Sequence, residues 1–314
     1  MRRLRTSRLL APVAVLALVL AACGGDEAAD DTPDADLELD AVEIPDDGPT
    51  ITVASFNFPE STILAEVFAT AMEEAGYPVA RELNVGAREL LFPELEEGGI
   101  DLLPEYLGSA IVVGFGGEPP ADVDAGVDAL SAAFADLGVT VLDPTPAENT
   151  NVFVVTSEFA ADNDLTSVGD LAGIEATLAG PPECESRDTC YLGLQNVYGL
   201  DTLSFEAVGE ASARLIALTE DDAQVILLFS TDAVLADGSL VALTEPEGMI
   251  PPENIVPVLR TEVIDAYGDD LVDLLDAVGS ALTTEVLVGF NQRSNEGVAP
   301  DVIARDFLTE IGVL

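Results

Sequence analysis

The chain has 314 residues, with 59 Asp and Glu against 11 Lys and Arg, and a formal net charge of −48. That balance argues against nucleic acid and anionic lipid surfaces as partners, since both need clustered cations. The absence of His removes the usual general base, the Ser-His and Cys-His nucleophile pairs and the commonest transition-metal ligand. The chain is therefore read as a non-enzyme with no cofactor and no metal site.

Four arginines stand within Met1 to Arg8, and Leu9 to Ala22 is apolar apart from Pro12. A basic start followed by a short apolar run is a secretory signal peptide, expected over 1–22, and too short to span a bilayer. Leu20-Ala21-Ala22-Cys23-Gly24-Gly25 resembles the lipobox of bacterial lipoproteins, which implies cleavage before Cys23 and its lipidation. The mature protein is expected outside the cytoplasm, anchored to the outer face of the cell membrane. From Gly24 to Thr50 the chain holds 11 acids and no Lys or Arg. Such a segment cannot bury a core, and 23–50 is expected to be a disordered, self-repelling spacer.

Ile51 and Val53 alternate as in a strand, while Ile63, Leu64, Val67, Phe68, Met72 and Ala75 recur at helical spacing. Between them Phe56-Asn57-Phe58-Pro59-Glu60-Ser61 forms a turn, with Pro59 in the first helical turn and Asn57 or Ser61 as the cap. Val79 to Val85 reads as a strand and Arg88 to Glu97 as a helix stopped by Gly98-Gly99. Ile100 to Leu103 reads as a strand and Pro104 to Ser109 as a second turn entering a helix. A helix over Val123 to Leu137, a strand at Thr140 to Leu142 and Pro144-Thr145-Pro146 complete a first unit. Asn151 to Thr156 reads as a strand, Leu165 to Leu171 as a short helix and Glu175 to Leu178 as a strand. Tyr191 to Tyr198 is expected to be helical, Leu203 to Ala207 a strand, Ala211 to Leu218 a helix and Gln224 to Phe229 a buried strand. Val241 onward is strand-like, Pro251 to Arg260 extended, and helices are expected within 264–267, 271–282, 286–290 and 300–314. Alternating strands and helices point to α/β architecture with parallel or mixed sheets. Cys184 and Cys190, an isolated pair in an exported chain, are expected to form a disulfide.

These elements carry a family resemblance. Phe56-Asn57-Phe58-Pro59-Glu60, Asp101-Leu102-Leu103-Pro104-Glu105-Tyr106-Leu107-Gly108 and Asn149-Thr150-Asn151 occur in order. They are followed by Arg187-Asp188 with Tyr191-Leu192-Gly193-Leu194, then Ser230-Thr231-Asp232 and Pro257-Val258-Leu259-Arg260. In this set the chain resembles the substrate-binding proteins of osmoprotectant ABC importers, the glycine betaine, choline and carnitine binders with the type II periplasmic-binding-protein fold. The resemblance implies two lobes, each a mixed β-sheet flanked by helices, with the ligand cleft between them. Lobe one would comprise 51–145 plus 244–314, and lobe two 146–243. It implies a monomer that hands a small zwitterionic or cationic solute to the transmembrane subunits of an ABC permease.

Carried over by position, Phe56, Phe58, Tyr106, Tyr191 and Phe229 are the candidate aromatic cage. Arg187, Asn57 and the amides near Glu60 and Ser109 are candidates for the polar end, with Asn149, Asn151, Thr231 and Asp232 beside them. For each ring, plain core packing is the other reading open at this point. The chain departs from the family pattern where Phe56 replaces a usual Lys, Asn151 a usual Tyr and Ser109 a carboxylate found in some choline binders. At about 0.5–2 kcal/mol per cation–ring contact, two missing rings matter. The same fold serving another betaine-like or polar metabolite, or a surface sensory lipoprotein, is the alternative.

Overall fold

When a helix follows each strand and carries the chain back across the sheet, successive strands pair in parallel. The computed structural model describes residues 44–45 and 48–314, so the signal peptide 1–22, Cys23 and the spacer up to residue 43 lie outside the described residues. Strands β1 (Ile51–Phe56), β2 (Val79–Gly86) and β3 (Leu102–Tyr106) alternate with helices α1 (Pro59–Glu74) and α2 (Arg88–Glu97). As the connections require, β1 lies between β2 and β3 and is parallel to both. A short α3 (Leu107–Ser109) runs into a π-turn to Gly114, and α4 (Val123–Ala135) leads to β4 (Val139–Val141).

The chain then builds a second sheet from β5 (Asn151–Thr156), β6 (Ala176–Gly180), β7 (Leu203–Ala207), β8 (Val225–Phe229) and β9 (Leu240–Leu243). Helices α5 (Ser157–Asp162), α6 (Tyr191–Tyr198) and α7 (Ala211–Thr219) connect them. It returns to place β10 (Ile255–Arg260) in the first sheet and ends in α8 (Thr261–Tyr267), α9 (Asp269–Ser280), α10 (Thr284–Asn295) and α11 (Pro300–Glu310). The sheet orders are β2-β1-β3-β10-β4 and β7-β6-β8-β5-β9. Both are mixed: β10 is antiparallel to β3 and β4, and β5 is antiparallel to β8 and β9. Each sheet has its own hydrophobic core. Where the chain crosses between sheets, Glu148 pairs with Asn254 and the Asn149 N–H donates to the Glu253 carbonyl.

Helix α1 is buried from Glu60 through Met72, because it is packed against β1 and β2 as well as α9, α10 and α11. Its polar residues therefore need partners within the protein. The Ser61 hydroxyl accepts from the Phe56 N–H, Thr62 donates to Asn84, and Glu66 pairs with Arg81. Phe58 is the N-cap and makes no side-chain cap bond, so neither Asn57 nor Ser61 caps this helix.

A second difference lies at Pro104-Glu105-Tyr106, which continues β3 and is no turn. Proline in a central strand normally costs a ladder bond. Here Pro104 faces Pro257, whose carbonyl points the other way and accepts from the Leu142 N–H. The missing Pro257 N–H therefore takes nothing from the β3–β10 ladder.

In the second sheet's core a disulfide joins Cys184 to Cys190, with 5.2 Å between their Cα atoms and both side chains buried. Reducing it is expected to lower stability by about 2 kcal/mol, mainly by freeing the unfolded chain. Urea unfolding with and without reductant measures this, and coincident midpoints would refute it.

Candidate functional site

Because β1 and β3 are parallel neighbours, their C-terminal ends come out on one side, where α/β sheets bind ligands. Phe56 closes β1, Phe58 begins the next turn and Tyr106 closes β3. Phe56 and Phe58 stack with centroids 5.9 Å apart and planes 5° from parallel. Tyr106 leans against both, 6.3 Å from Phe56 and 5.8 Å from Phe58. The three rings are not equally available. Phe56 is 3% exposed and Tyr106 6%, whereas Phe58 is 37% exposed. The guanidinium of Arg88 already lies 4.8 Å from the Phe56 centroid, so the ring standing at the family's lysine position carries a cation of the protein's own.

Glu60, on the second residue of α1, is buried beside these rings. Its Oε1 accepts from the Tyr106 hydroxyl at 2.8 Å and from Asn149 Nδ2 at 2.7 Å. Its Oε2 accepts from the Thr231 hydroxyl at 2.6 Å and from Asn291 Nδ2 at 2.6 Å. Burial, and then the Glu60 charge, hold the Tyr106 phenol well above its usual range, so it stays a donor. The side-chain acceptor of Asn149, Oδ1, is buried with no partner.

Beneath the rings lies a charged group that the sequence did not reveal. Arg88 Nη2 meets the fully buried Glu105 carboxylate at 2.8 Å. Burial works against the Arg88 charge, but Glu105 outweighs it and raises the guanidinium. Burial in turn pushes the Glu105 carboxyl up against the pull of Arg88. Glu253, on the segment returning from the second sheet, accepts from the Ser109 N–H at 3.0 Å and the Ser109 hydroxyl at 2.6 Å. Burial pushes its carboxyl up to about 7, although those bonds and Arg88 act downward. The Ser109 amide, expected to be free for a ligand, is thus occupied by Glu253.

From the second sheet, Phe229 ends β8 with its ring 37% exposed, and its N–H is held by Asp232 Oδ2 at 2.9 Å. Burial raises the Asp232 carboxyl. Asn151 pairs with Phe229 in register and its amide donates to the Thr189 carbonyl at 3.3 Å. Arg214 on α7 donates to the carbonyls of Leu227, Val208 and Gly209, tying the segment that follows β7 to the middle of β8. Tyr191 is not brought to the rings of the first sheet. Its hydroxyl donates to the Leu203 carbonyl at 2.9 Å and its ring packs 5.2 Å from Phe205 in the second core. Arg187 is half-buried in the disulfide loop, where its carbonyl accepts from Cys190 and Gly193, and Asn57 is exposed at the turn.

Arg88, Glu253 and Asn291 are the site residues that sequence reading missed. Only Arg88 left a signal, as one of seven arginines after the leader, placed at a helix start behind Gly86. A separate open groove of about 510 Å³ runs past Thr62, Glu66, Arg81, Asn84 and Arg305. It includes none of the rings, and its arginines are engaged by Glu66, Glu73 and Glu74.

The chain matches, over residues 49–310, the family model described as the substrate-binding domain of ABC-type glycine betaine transport systems. It is 25% identical over 269 residues to the glycine betaine-binding protein YehZ of Escherichia coli strain K12, covering 81% of this chain and 88% of that one. It is 24% identical over 268 residues to the ergothioneine transport permease/ergothioneine binding protein EgtU of Helicobacter pylori strain G27, covering 84% of this chain and 48% of that protein. A crystal structure of a glycine betaine/carnitine/choline ABC transporter protein shares the fold, with a TM-score of 0.72 and 21% identity over 84% of this chain and 99% of the other.

Proposed function

The chain belongs to the family of substrate-binding domains of ABC-type glycine betaine transport systems, and from that premise we propose that it captures a quaternary-ammonium compatible solute of the betaine, choline or carnitine type for an importer. The observation that carries the reading is the ring group of Phe58 and Tyr106 on one sheet, with the exposed Phe229 ring on the other. A trimethylammonium group has no hydrogen to donate, so it is recognised by aromatic faces, and Phe58 is the face left open. Two lobes, 51–145 with 244–314 and 146–243, would close on it about the crossing segments. A lipid on Cys23 would hold the monomer at the membrane beside its permease, and the disulfide would form on export.

Titration calorimetry of the purified protein with glycine betaine, choline, carnitine and proline betaine tests this, and no heat with any of them would sink the reading. Phe58→Ala is expected to weaken the responsive solute about tenfold, one cation–ring contact near the middle of its range. Because that ring is partly exposed, the melting temperature should move little. Unchanged affinity would remove Phe58 from the site.

The similarity to an ergothioneine binding protein supports a second reading, in which the solute is a larger betaine with an aromatic or polar body. Mass spectrometry of small molecules that copurify with the protein separates the two.

A further inference from the structure

The four donors on Glu60 come from four separate places. Tyr106 ends β3 of the first sheet, Asn149 lies on the outgoing crossing segment, Thr231 follows β8 of the second sheet and Asn291 is on α10. Asn291 Nδ2 also reaches the Thr231 carbonyl at 3.1 Å. No ion pair among the described residues includes Glu60. A carboxylate offers about four lone-pair sites, and here two donors sit on each oxygen, so none is left for a solute. A buried charge satisfied only by hydrogen bonds is sensitive to losing any of them.

We infer that Glu60 is a positioning residue that couples the Tyr106 ring of one lobe to Thr231 of the other, so that the protein's own bonds favour the closed arrangement before solute arrives. Rotating the second sheet away would take Thr231 off Glu60 Oε2 and off Asn291 together. It would also leave the carboxylate that orients the Tyr106 hydroxyl short of a donor. Ring orientation and lobe position thus share one acceptor. The apparent affinity of a solute scales with the fraction of protein already closed, so each lost bond is felt in binding. The consequence for binding rests on the solute-capture reading, but the test does not.

Small-angle X-ray scattering of the purified protein without added solute, compared for wild type, Glu60→Gln and Thr231→Val, provides that test. A glutamine places an NH₂ where one oxygen stood. Each oxygen receives one asparagine amide, so whichever way the group turns, one asparagine donor faces another donor. Valine keeps the shape of threonine and deletes only the hydroxyl. Each change is expected to move the closed-to-open ratio about tenfold or more toward open, the size of a lost charge-assisted hydrogen bond. Both variants should show a larger radius of gyration than wild type, with unchanged circular dichroism. Identical scattering from wild type and a folded variant would overturn the inference. If Glu60→Gln fails to fold, Thr231→Val decides alone. Opening in the variants with no response to any quaternary ammonium would keep the coupling and sink the solute reading instead.

Discussion

Arg88→Met is expected to destabilise the protein by about 3–5 kcal/mol, the usual result of stripping one partner from a buried ion pair. Glu105 is fully buried, and Arg88 Nη2 at 2.8 Å is its one cationic partner among the described residues. The pair is already under-bonded, since Arg88 Nε and Glu105 Oε1 are buried with no hydrogen-bond partner. Methionine would fill the space and leave the carboxylate to take up a proton or to draw in water. The double variant Arg88→Met with Glu105→Gln should recover much of the loss, because a neutral pair need not be solvated as ions. Urea unfolding of wild type, single and double variants measures both steps. A loss under about 1 kcal/mol for the single variant would mean that Glu105 is already neutral in the folded protein. The double variant also tests whether the Arg88 cation over Phe56 serves binding or only folding, since it removes that cation without stranding an acid.

Glu253 gives the second large effect, and it is a dependence on pH. Its carboxyl is raised to about 7 in the folded protein by burial, above the ordinary 4.5 of an unfolded chain. The folded state therefore holds this proton more tightly, and the resulting stability is complete below about 4.5. It is lost as the pH rises through about 7. The full excursion is about 3 kcal/mol for a shift of this size. Glu253→Gln keeps an acceptor for the Ser109 N–H and a donor for its hydroxyl while removing the titration. The variant should match wild type near pH 4 and exceed its stability near pH 8. Parallel stability curves for the two proteins between those values would show that Glu253 does not titrate there. Its neighbours Arg88 and Glu105 also bear on its charge, so the comparison is best made with both intact.

Much of the architecture could be read locally. Helices α2 and α6 end where Gly98 and Gly199 take left-handed φ of 79° and 64°, conformations that glycine adopts freely. Strands β5 and β8 show themselves by β-branched and aromatic content. Pro104 did not, because whether proline breaks a strand depends on the residue opposite, and Pro257 lies far along the chain. The rings Phe56, Phe58 and Tyr106 come together because Phe56 and Tyr106 end two neighbouring parallel strands and Phe58 lies in the turn that follows the first. Tyr191, on a helix, depends on which helical face meets a core, and the motif does not encode that. Asn291 and Glu253 were silent for the same kind of reason. Each is an ordinary polar residue until α10 and the returning segment are laid against the end of β3.

The central place of β10 has a consequence for how the chain is made. Leu102 and Leu259 are partners in the first sheet, whereas every strand of the second sheet lies between Asn151 and Leu243. A chain emerging from its N-terminus can therefore finish the second lobe while β3 and β4 still wait, unpaired along their facing edges, for residues made last. Closing so long a loop is slow, and an open edge in the meantime invites other strands. A dense negative charge keeps copies of such a half-built chain apart. The acidity then protects an order of assembly as much as the solubility of the finished fold.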